Sequence, residues 1–240
     1  MLSRIYPLLL VVVFFCSAAQ AEDVALPDTA TLVAKLRATY APIYRKYAGF
    51  ETTRDFTIKT YDPQTGNLLS TEHVIFRKKE YFYKAPESTV LIYEKDGKRQ
   101  DPDDYDTTEI DPFWPLFDDK SDEHYEFRVS GAFAPGSHSL LQRPAIVLDV
   151  IPKKNDYRHF KGQAYIDPET TELLMIEGGP AKPHWAMKEF SVKYLYEPVA
   201  GGYCLKQGFV TARVSIFLIR PDRRHVYEVK GFDTKPIVKK

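Results

Sequence analysis

The chain has 240 residues, with 33 basic and 33 acidic side chains and a formal net charge of zero. That balance excludes the basic footprint of a nucleic-acid binder. With 44% apolar and 14% aromatic residues, the chain can bury a proper core.

The first 21 residues have the layout of an export signal. Arg4 supplies the positive end, Leu8–Phe15 is an unbroken apolar run, and Ala19-Gln20-Ala21 is a cleavage site. The apolar run is too short to span about 30 Å of hydrocarbon. The expected mature chain therefore begins at Glu22, outside the inner membrane, in the periplasm. Val13-Phe14-Phe15 is too bulky before Cys16 for lipid attachment. Only Cys204 survives processing, so no internal disulfide is expected, and Cys204 reads as a buried structural thiol.

Residues 22–28 read as a leader and 29–240 as one domain. Asp28 can cap a helix from Thr29. Leu32, Leu36, Tyr40, Ile43 and Tyr47 recur at helical spacing, and Pro42 predicts a kink or break before Gly49. Strands follow: Phe50–Asp62, a turn at Asp62–Asn67, Leu68–Arg77, a reversal at Lys78-Lys79, Glu80–Ala85 and Ser88–Glu94. Asp96-Gly97 signals a tight hairpin.

Gln100–Glu123 is acidic and turn-rich, with an apolar plug at Ile110–Phe117. Its carboxylates lack the spacing of an EF-hand loop, so a solvated loop is the better reading than a calcium site. The plug needs a cover, either the body of the protein or a partner. Strands resume at His124–Gly131 and Arg143–Pro152. Lys161–Ile166, Glu172–Glu177 and Lys188–Tyr196 read as a meander, turned at Asp167–Thr171 and broken at Gly178-Gly179-Pro180. In the last of these Phe190, Val192, Tyr194 and Tyr196 fall on one face. Leu205–Ile219 is a long strand or a strand with a bulge, Pro221–Arg224 a turn, His225–Thr234 the closing strand and Pro236–Lys240 a basic tail. The pattern gives ten or eleven antiparallel strands and one substantial helix.

No phosphate loop, nucleophile elbow or HExxH zinc motif is present. The six histidines are scattered and do not pair at metal-ligand spacing. Ser137-His138-Ser139 places a hydroxyl beside an imidazole, but strand neighbours point to opposite faces. No catalytic residue, metal site or cofactor is therefore expected. A large apolar sheet face remains, which is either filled by side chains or holds a ligand.

The order of these elements resembles the LolA/LolB-like superfamily of outer-membrane lipoprotein-sorting proteins. The resemblance rests on the export signal and amphipathic helix, Val74–Lys84, Val90–Gly97, the Phe113–Phe117 segment and Gly162–Glu177. It implies a mainly β (α+β) fold: a large curved antiparallel sheet forming an incomplete β-barrel, with the N-terminal helix against its concave face. It also implies a lid in which Arg77 holds the helix. The chain departs from the family in reading Lys78-Lys79-Glu80 after that arginine, and in showing one clear helix.

The resulting expectation is a non-enzymatic periplasmic binder or carrier of a lipid or lipoprotein acyl chain, with peripheral or no membrane contact. Phe76, Leu91, Tyr93, Trp114, Phe117, Ile176, Phe190 and Val192 are the candidate ligand-binding residues. Leu32, Leu36, Tyr40, Ile43 and Arg77 are the candidate lid. The alternative is an envelope-stress sensor or protein-interaction module of the same fold, with an envelope protein as partner at Phe113–Phe117. An exported hydrolase lacks a tuned site, and an outer-membrane barrel would carry fewer Lys and Glu on its faces.

Overall fold

The computed structural model describes residues 26–105, 113–134, 138–199, 202–216 and 220–239. The export signal, Ile110–Pro112 of the plug and Pro135–Ser137 lie outside the described residues. The expected helix is α1, Thr29–Lys46. Asp28 caps it, its Oδ2 accepting from the Thr31 amide at 3.0 Å. Of the expected kink or break, the break does not occur: α1 runs through Pro42, with Tyr47 rather than Gly49 at its end. The proline ring faces solvent, and tertiary packing of the buried stripe Leu32, Val33, Leu36 and Tyr40 holds the helix together.

Eleven strands among the described residues form one antiparallel sheet: β1 Tyr47–Tyr61, β2 Leu68–Tyr81, β3 Glu87–Lys95, β4 Lys98–Arg99, β5 Tyr125–Phe133, β6 Ala145–Pro152, β7 Phe160–Ile166, β8 Leu173–Pro180, β9 Met187–Val199, β10 Gly202–Ile216 and β11 Arg220–Val238. Their order is β4-β3-β2-β1-β11-β10-β9-β8-β7-β6-β5. Every neighbour is consecutive in sequence except β1 and β11, which join the two ends of the chain. The sheet is open, with β4 and β5 as its edges, and residues 100–124 carry the chain from one edge to the other.

Several strand boundaries differ from expectation. Pro221–Arg224 is not a turn, because β11 begins at Arg220 and Arg223 and Arg224 already pair with Val214 and Arg213 of β10. Glu80–Ala85 is not a separate strand, since Glu80 and Tyr81 end β2. Lys78-Lys79 makes no reversal, because β2 continues to Tyr81 with Lys78 opposite Thr52 and Lys79 opposite Glu51. Gly178-Gly179-Pro180 does not break β8. Gly178 faces Gly162 across β7, and a Cβ on either would come within 2.7 Å of the other's Cα and 2.9 Å of the Phe160 ring. The glycines are there for this close backbone approach beneath an aromatic cover. Pro236–Val238 of the expected basic tail is strand, since β11 pairs with β1 as far as Val238 opposite Tyr47, and Lys240 lies outside the described residues. The Asp96-Gly97 hairpin forms as expected, with φ of 49° and 74°.

The main core lies on the concave face. Leu32, Leu36 and Tyr40 of α1 pack with Tyr125 of β5, Leu148 of β6 and Phe160 of β7, and Phe117 of the plug joins them. The opposite face of β6–β8 is covered too, by Leu141 against Ala145, Val147, Tyr165 and Met175. Burial on both faces explains why Ala145–Leu148 of β6 reads as an apolar run rather than an alternation. The start of α1 also shields the β5 edge: the Val129 amide donates to Thr29 Oγ1 at 3.1 Å.

Candidate functional site: a lidded cavity on the concave face

The α1 helix and the plug cover the β5–β9 half of the concave face and leave a cavity against β1, β2 and β9–β11. Its volume is about 510 Å³. One wall is the expected face of β9, Phe190, Val192, Tyr194 and Tyr196. The floor is β10 and β11. There Gly208 lies opposite Val229 and Tyr194, and a Cβ at this position would meet them at 2.6 and 2.8 Å. The roof is Tyr40, Ile43 and Tyr44 of α1 with Phe113–Phe117 of the plug. Cys204 is buried in the lining, and burial pushes its thiol up to about 11, so it stays protonated at neutral pH.

The roof is fastened at several points. Tyr40 Oη accepts the Leu173 amide at 2.6 Å and ties α1 to β8. Arg37 donates to Ser121 Oγ at 3.0 Å and makes a bidentate pair with Asp122. Arg45 lies 3.4 Å from Asp119. From the other wall, Tyr83 donates to the buried Asp118 at 2.9 Å. Part of the acidic segment is thus the counter-charge of α1 and the anchor of the plug rather than a solvated loop. Trp114 lies between two cationic or protonatable groups. The His124 ring stacks on it at 4.5 Å and 9°, and the Arg158 guanidinium lies 3.9 Å from its centroid. Behind His124, His159 Nε2 lies 3.2 Å from His124 Nδ1, and His159 Nδ1 lies 2.6 Å from Asp156.

Of the candidate ligand-binding residues, Trp114, Phe117, Ile176, Phe190 and Val192 line the cavity. Phe76 and Tyr93 do not. They share the concave face but close a separate cluster with Val74, which meets the cavity through the contact of Phe76 with Phe56 at 4.9 Å. Leu91 is 39% exposed. The β2–β3 register passes from Ile75↔Ile92 to Phe76↔Val90, so Leu91 is the extra residue of a bulge and is turned out of the face it was assigned to. In the lid, Tyr40 and Ile43 face the cavity, whereas Leu32 and Leu36 are core. Arg77 does not hold the helix. It falls on the convex face, 58% exposed, with Nε 3.9 Å from Glu51.

The sequence reading passed over the polar part of the lining. Arg54, Lys78 and Glu80 are its charged residues, and Arg54 pairs with Glu80. A signal was present: Phe50, Arg54, Phe56 and Ile58 share one strand phase, so a cation stands among core positions. Among the described residues, no group of three or more His, Cys, Asp and Glu could hold a metal ion, and no helix is long and apolar enough to cross a membrane.

No family model and no curated protein matches the chain. Among solved structures it is similar to a DUF1329 family protein from Desulfovibrio piger, at 11% identity and a TM-score of 0.46 over 88% of this chain and 94% of that one. It is similar to a LolA superfamily protein from Nitrosomonas europaea, at 9% identity and a TM-score of 0.44 over 89% and 95%. It is also similar to a Vibrio parahaemolyticus protein provisionally described as an outer membrane lipoprotein-sorting domain, at 10% identity and a TM-score of 0.43 over 85% and 90%. The superfamily that the sequence resembles is thus represented among the similar structures. At these identities and TM-scores the likeness says nothing of what this chain binds.

Proposed function

We propose that the chain is a non-enzymatic periplasmic binder or carrier of a hydrophobic ligand, a lipid or lipoprotein acyl chain, in lipoprotein sorting or a related envelope process. The observation that carries this reading is the cavity of about 510 Å³ under the α1 and Phe113–Phe117 roof. Its size is that of a small-molecule site, and its lining is mostly aromatic and aliphatic. An acyl chain entering it leaves water at a gain of about 0.8 kcal/mol per methylene buried. The expected export signal of residues 1–21 supports this reading, since it would send the chain to the compartment where such ligands are moved.

Native mass spectrometry of the mature protein with added lipid tests this. A stoichiometric lipid adduct is the expected result; an unchanged protein mass at saturating lipid overturns it. The sensor reading uses the plug as a contact surface. Phe117 is 1% exposed and Leu116 9%, so the protein's own body already covers the part of the plug that a partner would need. Trp114→Ala separates the two readings. Lipid retention falls if the plug is a roof, whereas retention persists and partner capture is lost if it is a contact surface.

A further inference from the structure

One end of the sheet presents an aromatic and basic rim that the cavity does not use. Two turns lie side by side there, residues 153–159 between β6 and β7 and residues 181–186 between β8 and β9. The Ala181 amide donates to the His159 carbonyl at 2.6 Å, and the Lys182 amide to the Asp156 carbonyl at 3.2 Å. Trp185 stands on the second turn, 76% exposed, and Tyr157 on the first, 50% exposed. The outward indole does not come from a loose loop. The Met187 amide donates to the His184 carbonyl at 2.8 Å, and the Ala186 amide to His184 Nδ1 at 3.3 Å. Ala186 is buried, and its carbonyl accepts the Ser215 amide of β10 at 2.9 Å. The backbone is thus fastened around Trp185 while its ring points outward beside His184, at 5.4 Å between centroids.

A lone exposed apolar side chain is ordinary on a protein surface. The charge around this one is not. The two turns carry Lys153, Lys154, Arg158 and Lys182 against one acid, Asp156. That acid is already engaged, by His159 Nδ1 at 2.6 Å and by the amides of Arg158 and His159. Lys153 Nζ donates to a neutral acceptor, the Asp122 carbonyl, at 2.7 Å. Lys154 and Lys182 are exposed and make no salt bridge among the described residues. Asp122 and Glu123 are the acids of the adjoining segment, and Arg37 holds Asp122. The rim is therefore net positive around a projecting indole.

We infer that this rim docks the protein on an anionic lipid surface, with Trp185 in the headgroup layer and Lys153, Lys154 and Lys182 against lipid phosphates. An indole has an apolar body and one N–H donor, which suits the boundary between headgroups and acyl chains. A protein interface would centre on a packed apolar core, whereas this rim offers one projecting ring among long cationic side chains. The rim also adjoins the roof of the cavity. The Arg158 carbonyl accepts the Trp114 amide at 2.9 Å, and the Arg158 guanidinium covers the Trp114 ring. Docking by this end brings the Phe113–Phe117 roof close to the lipid. The inference goes beyond the binder reading and does not need it, since docking requires no ligand in the cavity.

Cosedimentation of the mature protein with vesicles of phosphatidylglycerol or of phosphatidylcholine tests this. The expected result is binding to phosphatidylglycerol that weakens as salt is added, with weaker binding to phosphatidylcholine. Lys154→Gln and Lys182→Gln should each lower the affinity about fivefold, the share of one lysine near an anionic surface. Trp185→Ala should lower it too, and should abolish the blue shift of tryptophan emission that the wild type shows on the vesicles. All three side chains are exposed, so the variants should fold. No binding to phosphatidylglycerol overturns the inference and leaves an acidic protein as the occupant of the rim. Equal binding to both lipids overturns it, and so does binding unchanged in all three variants. Failure of the binder reading shows separately, as a protein that sediments with vesicles yet carries no lipid adduct in mass spectrometry.

Discussion

His124 illustrates how one side chain can make the roof sensitive to its surroundings. Its ring stacks on Trp114, and the opposite ring of the pair, His159, is 1% exposed and bonded to Asp156. Burial, then the neighbouring His159, lowers the His124 pKa from 6.5. Asp118 and Glu123 oppose that shift, and Lys154 adds to it. The sign follows from linkage. The unfolded chain takes up a proton near pH 6.5 while the folded one does not. His124 thus contributes its full stability above pH 6.5, and that contribution is lost as pH falls from 6.5 toward the lowered folded value. The chain has two tryptophans, and the other, Trp185, is 76% exposed. In a Trp185→Phe protein the emission reports on Trp114 alone. It should hold through pH 6.5 and drop only as pH falls through the lowered folded value, when an imidazolium forms against the indole, and His124→Ala should abolish the step. A flat profile between pH 7 and 5 would show that the stack does not titrate there.

At the scale of elements, the helix is a lid in two parts. The stretch before Pro42 is core, with Leu36 0% exposed and Tyr40 bonded to Leu173. The stretch after it contributes Ile43 and Tyr44 to the cavity and is held by ring contacts such as Tyr44–Phe82 at 4.6 Å. Pro42 removes the hydrogen bond that would join the two, at a cost of up to about 3 kcal/mol in a helix interior. Pro42→Ala should raise stability, by at most that amount, and slow the exchange of bound lipid. Both are measurable, as the denaturation midpoint and as the rate of transfer of a fluorescent fatty acid. Faster exchange in Pro42→Ala would refute a two-part lid. The existence of this helix was legible from its apolar spacing, and so was the inward face of β9 from its alternation. The continuity of α1 was not, because burial of the Leu32–Tyr40 stripe outweighs the proline. Leu91 was misplaced because one bulge reverses the phase of β3. Arg54 went unnoticed because period-2 alternation was searched for apolar residues and not for the cation among them.

For the whole molecule, the feature that sequence patterning could not supply was the seam between β1 and β11. Alternation says which face a residue takes, yet it carries no information on which strand lies beside it when the partners are far apart in the chain. Here the first and last strands pair over their length and turn two short meanders into one sheet. The C-terminal residues are therefore structural. Lys235 lies 3.1 Å from Glu51, Pro236 pairs with Phe50 and Val238 with Tyr47. Lys239 reaches back to the end of α1, its amide donating to the Lys46 carbonyl at 3.3 Å and its Nζ to the Tyr44 carbonyl at 2.8 Å. A cation at a helix C-terminus is favourable there. Phe50 and Tyr44, both anchored by this segment, line the cavity. Deletion of residues 235–240 should then cost stability and function together. Each lost backbone hydrogen bond removes about 0.5–1.5 kcal/mol, and the loosened Phe50 and Tyr44 should weaken lipid uptake. A free basic tail would behave differently: its removal would change stability by no more than about 0.5 kcal/mol, as for ordinary surface changes, and leave uptake intact. Urea denaturation and palmitate binding on the truncated protein distinguish the two, and an unchanged midpoint would mean that the seam ends before Lys235.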